Sequence, residues 1–169
     1  MTKNHPLWQE QEYDKGNEIL NALAPTPEER IVKAKTDLEK DFIQGINILY
    51  GQGNKATRDS TYAVYMGTLY EKYPGNDEVA SFYSLALNGW GTTDTDKKIM
   101  EKAALIANEV LARNPEHPGA LHYVIHAYDD PQYAELALAT ANKYALVAPD
   151  AGHALHMPTH TYLALGLWD

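Results

Sequence analysis

The chain has 169 residues, enough to bury a core in one domain and too few for two large ones. Hydrophobic residues make up 44% and charged residues 22%, a balance that excludes a disordered chain, and the formal net charge of -9 excludes a general binder of nucleic acid or anionic membrane. No apolar run reaches the length of a membrane span, and the N-terminal MTKNHPLWQEQEYDKG lacks the basic-then-apolar order of a signal peptide, so the expectation is a soluble, cytoplasmic chain.

Apolar spacing is helical along nearly the whole chain, which predicts an all-α fold. A first helix is expected over Trp8 to Ala22, closed by Ala24-Pro25. Thr26-Pro27-Glu28-Glu29 then supplies an N-cap, a proline at the first helical position and a capping-box glutamate, and the helix it opens is expected to run to about Tyr50, where Gly51-Gln52-Gly53-Asn54 stops it. A third helix, about Ala56 to Tyr73, puts Tyr62, Tyr65, Met66, Leu69, Tyr70 and Tyr73 on one stripe. Such a stripe reads as core with hydroxyls reaching polar partners at its margin. Helices from Asp77 to about Leu87 and from about Thr95 to Arg113 flank a loop containing Trp90, and Lys97, Lys98 and Lys102 mark a solvated face.

The C-terminal third departs from the rest in composition. Six of the seven histidines lie between His117 and His160, whereas the last 56 residues hold Lys143 as their one basic residue besides histidine. Laid on itself with an offset of 34 residues, this part of the chain repeats: Pro115 falls on Pro149, Ala120 on Ala154, Leu121 on Leu155, Tyr128 on Tyr162, Ala103 on Ala137, and Ala107-Asn108 on Ala141-Asn142.

That period, in helix-turn-helix units closed by proline, resembles the tetratricopeptide repeat (TPR) family. The runs His117-Pro-Gly-Ala-Leu-His-Tyr-Val-Ile-His-Ala-Tyr-Asp-Asp-Pro131 and Ala154-Leu-His-Met-Pro-Thr-His160 look like a bacterial group of TPR proteins of largely uncharacterised function. The resemblance implies one domain over residues 1–169, a right-handed α-solenoid of about seven helices in antiparallel hairpins, with units beginning near Asp77, Pro118 and Gly152. Residues 73–169 match the repeat and residues 1–72 are divergent helical hairpins. Ala141 and Tyr144 depart from the family's large and small residues at their positions, and Pro158 interrupts a first helix. The last unit is incomplete, which implies a fragment, a truncated copy or a homo-oligomer, and the apolar Leu163, Leu165, Leu167 and Trp168 of a helix from Thr159 to Trp168 are expected to pack either on another copy or back on the preceding hairpin.

The family's groove-lining positions fall on His122, His126, Asp129 and Asp130 in one unit and on His153, His156 and His160 in the next. Two i, i+4 histidine pairs, His122 with His126 and His156 with His160, therefore occupy matching faces of first helices packed about 8 to 10 Å apart. Neutral imidazole is the commonest metal ligand, so these four can hold a divalent transition metal. Donors without sulfur suit Zn, Fe, Ni or Cu. The alternative is a polar groove in which the imidazoles hydrogen-bond to tyrosines, aspartates and carbonyls. Asp129-Asp130-Pro131 reads first as a helix-ending turn, and Pro158 as a kink or a late helix start.

HExxH, GxSxG and a phosphate-cradling glycine loop are missing, which puts a binding module ahead of an enzyme. The expected ligand is a peptide, a protein or a small molecule. A groove of His, Asp, Ser81 and Leu85 does not suit the acidic C-termini that basic TPR clamps hold. The second expectation is a metal-binding protein or metal-dependent enzyme using the paired histidines.

Overall fold

The computed structural model describes residues 12–90 and 97–167. Among these, nine elements are helices and none is a strand: α1 Tyr13–Leu23, α2 Pro27–Val32, α3 Asp37–Leu49, α4 Lys55–Lys72, α5 Asp77–Trp90, α6 Lys97–Arg113, α7 Pro118–Ala127, α8 Ala134–Val147 and α9 Gly152–Leu165. The expected all-α class holds, and helices start at Asp77, Pro118 and Gly152 as the repeat predicts. Trp8, residues 91–94 of the expected loop, Thr95 and Trp168 lie outside the described residues.

The helix count is a correction to the expected seven. The capping box at Thr26 forms as read, Thr26 Oγ1 accepting from the Glu29 amide and Glu29 Oε2 accepting from the Thr26 amide, each at 3.2 Å. The helix it opens ends at Val32, because a second box follows at once: Thr36 caps α3 and Glu39 returns the hydrogen bond to the Thr36 amide at 2.8 Å. Two competing N-termini ten residues apart divide what periodicity alone reads as one helix.

Polar hooks attach the first helices. α1 buries none of its residues. The buried Arg30 guanidinium, 5% exposed, donates to the carbonyls of Leu20, Ala24 and Pro25 and to the side-chain oxygens of Asn21 and Asn47. At Gly16 an added Cβ would stand 2.0 Å from the Tyr50 ring, so only glycine lets that ring lie against α1.

The apolar core begins at α4. Tyr62, Met66 and Leu69 are buried, and Tyr65, Tyr70 and Tyr73 pack at the margin, where their hydroxyls donate to the Asp41 carbonyl, to Glu109 and to Asp41 Oδ2. This cluster continues through Val79, Leu87, Ile106 and Val110 to Val124 of α7. A second cluster joins α7, α8 and α9 through Leu121, Ile125, Ala141, Tyr144, Ala154 and Met157.

Helices pack chiefly on their chain neighbours. Two contacts skip one helix, α5 on α7 and α7 on α9. The last helix is not left bare: it lies on α8 and α7, with Met157 and Thr161 buried, while Leu155, Leu163 and Leu167 stay exposed. It runs unbroken through the buried Pro158 instead of restarting at Thr159, and Gly166, at φ 70°, ends it in the left-handed conformation. No helix among the described residues is long and apolar enough to cross a membrane.

Candidate functional site

Histidines 122 and 126 each follow a core residue, Leu121 and Ile125, by one position on α7. A step of one residue turns about 100° around a helix, so both imidazoles stand at the edge of the α7–α8–α9 core, half-buried. His122 stacks on the Tyr144 ring of α8, with centroids 5.6 Å apart and planes 12° from parallel, and lies 4.6 Å from the His126 ring. In the sequence Tyr144 stands out only as a departure from the repeat; in the fold that bulk is the wall behind His122.

The contact skipping from α7 to α9 brings the two sets of histidines onto one face. His153 Nε2 stands 3.2 Å from His122 Nε2. One ring nitrogen each from His122, His126 and His153 lies within 4.8 Å of the others, close enough to share an ion. His156 and His160 form their own pair with Nε2 atoms 3.1 Å apart, and His153 lies between the pairs, its centroid 6.1 Å from that of His156.

The two aspartates separate. Asp129 Oδ2 stands 3.2 Å from His160 Nδ1, reaching from the turn after α7 to a side chain of α9. Asp130 Oδ1 instead accepts from the Gln132 amide at 2.8 Å, within the turn that ends α7. Of the seven residues expected at the site, six thus share one surface, and Asp130 serves the turn.

Burial keeps the inner imidazoles neutral. It lowers His122 to about 4, with help from the neighbouring His153, and His126 to about 2, with help from His122. His153 is lowered by burial and by His156 and His160, whereas at His160 the same burial effect is partly opposed by the Asp129 carboxylate. A neutral imidazole keeps a lone pair for a metal or a hydrogen-bond donor.

A different juxtaposition resembles a nucleophile site and is not one. Ser81 Oγ lies 3.4 Å from His117 Nε2, and Glu78 Oε1 lies 3.7 Å from that same nitrogen. His117 Nδ1 accepts from the Ala120 amide at 3.1 Å, capping α7. In the neutral ring Nε2 therefore carries the proton and cannot take one from Ser81. Ser81, expected in an open groove, is 3% exposed.

Compared with known proteins, the chain matches no family model, no curated protein and no solved structure.

Proposed function

We propose that the chain is a TPR-type binding module, a right-handed solenoid whose working face is the histidine surface of α7 and α9, and that this face binds a divalent transition ion. The repeat reading is supported by helix starts at Asp77, Pro118 and Gly152 and by packing between neighbouring and next-neighbouring helices.

One observation carries the metal reading: His122, His126 and His153 place one nitrogen each within 4.8 Å of the others, from two helices that the repeat aligns. Three neutral imidazoles leave a fourth position for water or for a group on a partner. Zn, Fe, Ni and Cu suit the donor set. A peptide, protein or small molecule with its own donor would complete the coordination, joining the metal reading to the binding-module reading.

The test is elemental analysis of untagged protein together with thermal melts in Zn, Ni, Cu and Fe(II), on wild type and His126→Ala. The expected result is a bound ion and a raised melting temperature in wild type, with a smaller rise in the variant. Equal melting of both proteins in every metal, with none found by analysis, leaves only the polar groove.

A further inference from the structure

The three-imidazole cluster leaves a second set of donors on α9 unused. His156 and His160 present their Nε2 atoms to each other at 3.1 Å, and Asp129 Oδ2 lies 3.2 Å from Nδ1 of His160. A neutral imidazole has one N–H and one lone pair. With Nδ1–H donated to the carboxylate, the lone pair of His160 Nε2 faces His156.

Two nitrogens bound to one tetrahedral ion at about 2.0–2.1 Å stand about 3.3 Å apart. The 3.1 Å between His156 and His160 is close to that spacing. A carboxylate fixing the far nitrogen of the ring is, moreover, the outer shell that ligand histidines recurrently carry, because it sets the tautomer and raises the basicity of the ligating nitrogen.

We propose that His156 and His160 hold a second divalent ion beside the first, with Asp129 as a positioning residue, so that one face takes two ions. The proposal rests on the reading of His122, His126 and His153 as a metal site. His153 links the two positions, its centroid 4.9 Å from that of His122 and 6.1 Å from that of His156. Nitrogen donors select a transition ion such as Zn or Co over Ca or Mg, which prefer oxygen. Asp129 comes from the turn after α7 and its histidine from α9, so filling the second position would also tie one repeat to the next.

The experiment counts ions. Untagged full-length chain is stripped with a chelator, equilibrated with excess Zn²⁺, separated from free metal and analysed, with helicity followed by circular dichroism. Two zinc per wild-type chain are expected, falling to one in His126→Gln and to one in His160→Gln. Asp129→Asn should weaken the second ion about 10- to 100-fold. A Co²⁺ titration of wild type, read by visible absorption, should show two successive binding steps and does not depend on any variant folding. One zinc in wild type, kept in His160→Gln and lost in His126→Gln, overturns the second ion and leaves the first. One zinc lost in both variants also overturns it, since a single shared site explains that result. No zinc at all removes both readings together.

Discussion

Helices α7 and α9 carry the same histidine pair at the same place in successive units, yet the structure gives the two pairs different surroundings. On α7 the pair leans inward: His122 rests on Tyr144 and His126 is pushed down to about 2 by burial. On α9 the pair is split, with His156 exposed and His160 half-buried and held by Asp129. The difference teaches that a repeat fixes which face a side chain occupies, whereas its protonation and partners come from whatever the neighbouring helix happens to place beside it.

The strongest way to break the comparison is to remove the floor both pairs share. Ile125 is fully buried between α7 and its neighbours, and Ile125→Ala should cost about 2 to 5 kcal/mol, read as a shift in the denaturant midpoint. A loss under about 1 kcal/mol would mean that the second core cluster does not support the site.

A metal should separate the pairs less drastically. With Zn²⁺ at about one hundred times its Kd, wild type should gain about 2.7 kcal/mol by mass action. His126→Ala, which cuts the inner cluster, should lose the share of that gain that the inner ion supplies at the same Zn²⁺ concentration, as measured by thermal melts.

Acid sharpens the contrast further. Unfolded imidazole takes up a proton near pH 6.5, whereas folded His122 and His126 resist it down to about 4 and about 2. Their contribution is therefore fully present above pH 6.5 and is lost as the pH falls, by up to about 1.4 kcal/mol per pH unit for each histidine. Denaturation at pH 7.5 and 5.5 should show this slope, flattened by His122→Gln or His126→Gln. His160→Gln should flatten it less, because Asp129 offsets part of the burial effect there. Equal slopes in all four proteins would refute the distinction between the α7 pair and the carboxylate-held His160.

The smallest effect concerns Asp129 alone. Its contact with His160 is partly solvated, with side-chain exposures of 24% and 11%, so Asp129→Asn should change stability by no more than about 1 kcal/mol in the absence of metal. A larger loss would make the contact a structural tie.

Much of this arrangement is legible in the residues. Pro118 and Gly152 start α7 and α9 where the offset of 34 puts them, and the matching histidines do share a surface. What spacing cannot supply is the stagger between neighbouring helices. The offset lays His122 on His156, but the helix packed against His122 presents His153 to it, almost one turn earlier. That register is set by how Leu121, Ile125, Tyr144, Ala154 and Met157 interlock, which depends on side-chain shapes from three helices. The division of α2 from α3 was readable, since Thr36-Asp-Leu-Glu39 is the same capping pattern as Thr26-Pro-Glu-Glu29, and helical periodicity masked it. Nor does spacing show that two adjacent aspartates on a turn face different neighbours, Asp129 the His160 ring and Asp130 the Gln132 amide.

The Arg30 clasp gives the chain a graded resistance to opening. α1 and the α1–α2 turn are held mainly through one guanidinium and a few amide and hydroxyl contacts, whereas α4 to α9 share continuous apolar clusters. Segments with little buried hydrocarbon exchange their amide protons through small local openings instead of global unfolding. The first two helices should therefore lose protection long before the histidine helices do, so a protease acting on the native protein would trim the front of the chain and leave the site standing.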